Sequence, residues 1–211
     1  MKLPLSSLYP ILDTDVVQSR GFSLETAAAE MLDAGVRVLQ IRHKAAWNRE
    51  LLLDAERVAE ICQQSHALLI INDRADVAKL LGAGLHVGQD DLPPADARRL
   101  IGPDAVLGYS THNTEQLTAA AAEPVDYVAL GPMFATQSKA NPYPVVGVER
   151  LRSLRRLTEH PLVAIGGITR LNAMEVFEAG ADSVAVIGDV LPEDGSISKR
   201  MDEWRRTIGR L

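Results

Sequence analysis

Eight short runs of apolar, largely β-branched residues recur along the chain, at 8–12, 36–41, 68–71, 85–87, 106–108, 127–130, 162–165 and 183–187. Runs this short and apolar read as fully buried strands. Segments with helical periodicity separate them, at 24–34, 48–64, 76–81, 94–101, 114–122, 148–159, 171–179 and 196–208. Ser23 is placed to cap the helix that starts at Leu24, and Gly35 to end it. Gly84 and Gly180 punctuate the return to the next strand in the same manner. Strand–helix units in unbroken succession predict an α/β protein whose parallel sheet closes as a single (β/α)8 barrel. With 211 residues that barrel is near minimum size, one domain spanning 1–211. An open doubly wound sheet is the competitor, but no glycine-rich turn follows the first strand.

Charge and composition exclude several classes of function. The net charge is −6, and the basic residues are scattered apart from Arg205, Arg206 and Arg210, so there is no footprint for nucleic acid. The first residues lack the apolar core of a signal peptide, and no run approaches the length of a membrane span. Cys62 is the only cysteine, which rules out a disulfide framework and a cysteine-based metal site. The expected location is the cytoplasm.

In a (β/α)8 barrel the chemistry sits at the C-terminal strand ends. The second strand runs into Gln40, Arg42 and Lys44 at alternate positions, hence on one face, opposite Leu39 and Ile41. Two cations so spaced suit a diphosphate or phosphate. Asn72 and Asp73 follow the third strand, and Asp91 follows the fourth. Adjacent strands lie about 4.8 Å apart. Two carboxylates there can share Mg²⁺, which takes one or two carboxylates plus phosphates and water. The competing role for both aspartates is to cap the following helices.

Ser110 and His112 follow the fifth strand. They lack the turn and the orienting acid of a nucleophilic pair, so Ser110 reads as a ligand contact and His112 as a supporting residue. A long aperiodic segment, 131–147, follows the sixth strand and offers Thr136, Ser138 and Lys139 to an anionic ligand. Gly166-Gly167 after the seventh strand, with Ile187-Gly188 after the eighth, matches the recurrent phosphate site of such barrels, where bare backbone N–H groups approach the anion.

Six motifs, in order, resemble the thiamine phosphate synthase family over nearly the whole chain. They are Gln40-Ile-Arg42-His-Lys44, Ile71-Asn72-Asp73-Arg74, His86-Val-Gly88-Gln89-Asp90-Asp91, Gly108-Tyr-Ser110-Thr-His112, Gly131-Pro132-Met-Phe-Ala-Thr136-Gln-Ser138-Lys139 and Ala164-Ile-Gly166-Gly167-Ile168. The resemblance implies a transferase that joins a hydroxymethylpyrimidine diphosphate to a thiazole phosphate, uses Mg²⁺ and releases diphosphate. It places Gln40, Arg42, Lys44, Asn72 and Lys139 around the pyrimidine diphosphate, with Arg42, Lys44 and Lys139 acting on the leaving group. It makes Asp73 and Asp91 the metal ligands and Ser110 a pyrimidine contact. Thr136 and Ser138 then bind the thiazole phosphate, with Gly167, Ile187 and Gly188 holding it through backbone. The expected partners are these two small molecules, with self-association left open.

Two positions depart from the family pattern. Ser138 stands where Thr is usual, which keeps a hydroxyl. Gly188 stands where Ser is usual, which removes a hydroxyl and keeps the N–H. Two other readings compete. A related thiazole tautomerase places a histidine near the fifth strand end, as His112 is here, but has no diphosphate to hold. A non-catalytic sensor of thiamine precursors has no use for the metal site.

Overall fold

The computed structural model describes residues 6–136, 143–193, 195–209 and 211. Eight parallel strands close into a barrel in sequence order: β1 (Leu8–Asp13), β2 (Val38–Arg42), β3 (Leu68–Asn72), β4 (Gly84–Val87), β5 (Leu107–Thr111), β6 (Tyr127–Leu130), β7 (Leu162–Ile165) and β8 (Ser183–Val186). The pairing of Leu8 with Val184 joins the last strand to the first. The outer helices are α1 (Thr14–Ser19), α2 (Leu24–Asp33), α3 (Arg49–Gln64), α4 (Ala75–Leu81), α5 (Pro94–Ile101), α6 (Thr114–Ala120), α7 (Val148–Leu154), α8 (Ala173–Glu178) and α9 (Ile197–Ile208).

Strand alternation divides the apolar residues into two cores. Leu39, Ile41, Ile71 and Leu85 face outward and pack with the helices, while Tyr9, Val38, Ile70, Tyr127, Val163 and Ala185 fill the barrel interior. Burying apolar side chains on both faces is what a parallel sheet requires, and most strands do so; β4 and β5 instead turn Gly84, His86, Gly108 and Ser110 inward. Among the described residues no helix is long and apolar enough to cross a membrane.

Ser23 caps α2, its hydroxyl accepting from Thr26 N, and Gly35 follows that helix at φ +100°. The pattern differs from expectation at several places. Helix α1 was not expected; it forms because the Asp13 carboxylate caps it immediately after β1. Gly84 belongs to β4, and the left-handed turn that ends α4 falls on Gly82 at φ +62°. The helix expected to reach 159 ends as α7 at Leu154 and tightens into a 3₁₀ turn, Arg155–Leu157. A further 3₁₀ turn, Gly188–Val190, follows β8.

Candidate active site

A cavity of about 640 Å³ opens at the C-terminal end of the barrel. Of the expected site residues, Gln40, Arg42, Lys44, Asn72, Asp73, Asp91, Ser110, Thr136, Gly167, Ile187 and Gly188 all line it. Ser138 and Lys139 lie outside the described residues.

On one side sit the cations and carboxylates. Arg42 ends β2 and pairs with Asp13 of the neighbouring strand, an acid without an assigned role in the sequence reading. Lys44, two residues beyond the strand, places Nζ 2.5 Å from Oδ2 of Asp73. Asp73 adopts a left-handed φ of +64°, rare for a side-chain-bearing residue, and its N–H donates to the His86 carbonyl at 2.8 Å. Burial raises the Asp73 pKa and Asp91 beside it adds to the rise, together outweighing the opposing pull of Lys44. Neither aspartate caps a helix: Arg74 and Pro93 hold the N-cap positions of α4 and α5, and Asp91 Oδ2 accepts from Gly88 N at 2.8 Å. Asn72 is 7% exposed, and its Nδ2 has no hydrogen-bond partner among the described residues. A buried amide donor left open beside a cavity is costly unless a ligand completes it.

The donor set fits a hard divalent cation. Among the described residues no cluster of three or more His, Cys, Asp or Glu could hold a metal. Two adjacent carboxylates with room for phosphate oxygens are, however, the protein share that Mg²⁺ normally takes.

On the opposite side two glycine loops meet. Gly166 and Gly167 both have positive φ, +98° and +67°. A Cβ on Gly166 would lie 2.5 Å from Pro132 Cβ, and one on Gly167 2.7 Å from the Ala135 carbonyl, so both positions exclude side chains. Asn172 Nδ2 donates to the Gly167 carbonyl at 3.1 Å and Asn172 Oδ1 accepts from Thr169 N at 2.8 Å. Asp189 ties this loop to the one after β8. It accepts from Arg170 N at 3.0 Å and from Arg170 Nη1 at 2.5 Å, while its carbonyl accepts from Arg200 Nη1 at 2.6 Å. Glu203 on α9 closes the network, 3.0 Å from Arg200 Nε and 3.3 Å from Arg170 Nε.

The cavity floor is a chain of buried polar side chains. Gln40 Nε2 donates to Tyr9 Oη at 2.8 Å, Tyr9 Oη lies 3.0 Å from Tyr127 Oη, and Tyr127 Oη lies 2.9 Å from His86 Nδ1. His86 Nε2 is 2.8 Å from Ser110 Oγ. Burial drives the His86 pKa down from 6.5 to about 4 and raises those of both tyrosines, so all three rings are neutral. No local sequence pattern marks Tyr9, His86 or Tyr127 as site residues. Their signal was three polar rings at inward strand positions, visible only once register is known. His112 stands beside the floor, with Nδ1 2.7 Å from the Gly131 carbonyl and its ring stacked on Tyr143 at 3.7 Å.

One cavity at the C-terminal end of a (β/α)8 barrel, lined by a cation–carboxylate cluster and by glycine loops, is where enzymes of this fold carry their chemistry. Residues 8–190 match the profile of the thiamine monophosphate synthase family, and the chain belongs to that family. It is 50% identical over 192 residues to the thiamine-phosphate synthase of Koribacter versatilis, covering 90% of each chain. To that of Chloroflexus aurantiacus it is 41% identical over 182 residues, covering 86% of this chain and 84% of the relative. Among solved structures it is similar to the thiamine phosphate pyrophosphorylase of Pyrococcus furiosus, with a TM-score of 0.84, 30% identity, and coverage of 96% of this chain and 95% of that one.

Proposed function

We propose that this chain is a thiamine-phosphate synthase. It couples 4-amino-2-methyl-5-(diphosphooxymethyl)pyrimidine with thiazole phosphate to give thiamine monophosphate and diphosphate. The observation that carries this reading is the pairing, in one cavity, of Arg42, Lys44, Asp73 and Asp91 with the Gly167 and Gly188 loops. Two anion sites of different chemistry suit two phosphorylated substrates.

Substitution takes place at the pyrimidine methylene and is dissociative. The methylene carbon–oxygen bond breaks with its electron pair going to diphosphate, and the thiazole nitrogen then forms the new carbon–nitrogen bond. Arg42, Lys44 and Lys139 stabilise charge on the departing diphosphate, and the open Asn72 Nδ2 donates to one of its oxygens. Asp73 and Asp91 hold Mg²⁺, which when bound neutralises diphosphate charge. Gln40 and Ser110 hold the pyrimidine ring. Thr136, Ser138 and the backbone at Gly167, Ile187 and Gly188 hold the thiazole phosphate. The protein contributes positioning and electrostatic stabilisation, and no side chain acts as nucleophile.

The test is an assay of purified protein with both precursors, with Mg²⁺ and with a chelator. Thiamine monophosphate should form only when both precursors and Mg²⁺ are present. Absence of product under those conditions defeats the proposal.

A further inference from the structure

The floor chain has a direction. Gln40 Nε2 donates to Tyr9 Oη, whose only other hydrogen-bond partner among the described residues is Tyr127 Oη. If Tyr127 also donated to Tyr9, the Tyr9 proton would have no acceptor on a fully buried oxygen. Tyr9 therefore donates to Tyr127, and the Tyr127 hydroxyl donates to His86 Nδ1. A neutral imidazole that accepts at Nδ1 carries its proton on Nε2, so His86 donates to Ser110 Oγ. The Ser110 hydroxyl hydrogen is left to turn into the cavity, and Gln40 keeps its Oε1 as an acceptor. Turning the Gln40 amide over would reverse every link and exchange the two ends together.

Register makes room for this chain. Gly108 on β5 stands between His86 on β4 and Tyr127 on β6 in one row of the sheet. A Cβ at Gly108 would overlap the Tyr127 phenol and His86 Nδ1. The His86 and Tyr127 rings stack across the gap, with centroids 5.5 Å apart and planes inclined by 25°. Glycine at 108 is thus what lets a β6 tyrosine reach a β4 histidine.

We infer that Tyr9, Tyr127 and His86 are positioning residues that, with Gln40 Nε2 turned to Tyr9, fix Ser110 as a hydrogen-bond donor and Gln40 as an acceptor toward the ring they hold, so that the site selects a 4-aminopyrimidine and rejects its 4-oxo counterpart. The inference rests on the synthase reading for the identity of the ring. An aminopyrimidine presents amino N–H groups and a bare ring nitrogen, which match an acceptor and a donor. The 4-oxo tautomer presents a carbonyl and a ring N–H in the corresponding places, which sets acceptor against acceptor and donor against donor. Leaving such groups buried and unpaired weakens binding by about tenfold or more.

The experiment measures equilibrium binding of 4-amino-5-hydroxymethyl-2-methylpyrimidine diphosphate and its 4-oxo analogue without thiazole phosphate, so it needs no turnover. The wild-type protein should prefer the amino form by at least about tenfold. In Tyr127→Phe, where His86 is released to adopt either tautomer, the preference should shrink to within about threefold while inorganic diphosphate binds as before. A merely structural role would weaken both rings equally and keep the ratio. The imidazole ¹⁵N shifts of wild-type His86 should report a proton on Nε2, a readout that does not depend on any variant folding. A wild-type preference near one, a preference kept in folded Tyr127→Phe, or a proton on His86 Nδ1 overturns the inference. Failure of coupling with intact selectivity would instead overturn the synthase reading alone.

Discussion

Asp13 divides its carboxylate between two partners: Oδ1 accepts from Val16 N at 3.3 Å to start α1, and Oδ2 pairs with Arg42. Both side chains of the ion pair are mostly buried, so removing one leaves the other poorly compensated. Asp13→Asn keeps a capping oxygen and loses the charge. It should destabilise the fold by about 1.5–3 kcal/mol in urea unfolding. Asp13→Ala also removes the cap and should cost about 1 kcal/mol more. Equal stability of the two variants would show that the cap contributes nothing.

Asp73→Asn and Asp91→Asn should each abolish most coupling activity while circular dichroism stays native. Each removes a carboxylate from the rim of the barrel and leaves the cores untouched. Normal turnover of either variant at limiting Mg²⁺ would remove the metal assignment.

Lys44→Ala and Lys139→Ala should slow the reaction far more than they weaken thiazole phosphate. A charge-stabilising donor that acts in the transition state is worth about 2.7–4 kcal/mol, by analogy with loss of one oxyanion-hole donor. Steady-state kinetics separates the effects. A raised KM for thiazole phosphate with unchanged kcat would mean that the two anion sites are interchanged.

Gly188→Ser should tighten thiazole phosphate. A Cβ at Gly188 meets nothing within 4 Å, and its φ is not in the left-handed region, so the side chain enters without strain. One neutral hydrogen bond nets about 0.5–1.5 kcal/mol, which limits the fall in KM to about tenfold. An increase in KM would show that the hydroxyl cannot reach the phosphate.

His86 also sets an acid limit on stability. Its folded pKa, about 4, lies below the unfolded value of 6.5, so the unfolded chain takes up the proton first as pH falls. The stabilisation is whole above about pH 6.5 and is lost progressively down to about pH 4, a change on the order of 3 kcal/mol. Unfolding free energies measured across that range should fall less steeply for His86→Gln than for the wild type. Parallel slopes would mean that the imidazole is protonated in the folded state.

The barrel was legible because most strands are short apolar runs between helical segments, and 127–130 and 162–165 were bounded correctly from composition alone. Helix α1 escaped because six residues are too few to show a period. At the site, Arg42, Lys44, Asp73 and Asp91 announced themselves as charges at the ends of apolar strands. Asp13 did not, because its meaning comes from the register that sets it beside Arg42. Tyr9, His86 and Tyr127 are separated by 118 residues at the extremes, and no local pattern joins them. The clamp of Arg170, Asp189, Arg200 and Glu203 is likewise a product of tertiary placement.

The floor chain draws Tyr9 from β1, Gln40 from β2, His86 from β4, Ser110 from β5 and Tyr127 from β6. No fragment shorter than the one from β1 to β6 contains the whole of it. A ring bound there is therefore coupled to the global unfolding equilibrium, and its binding energy protects backbone amides throughout the strands in hydrogen exchange. Substrate held there would act on this fold as a keystone does on an arch.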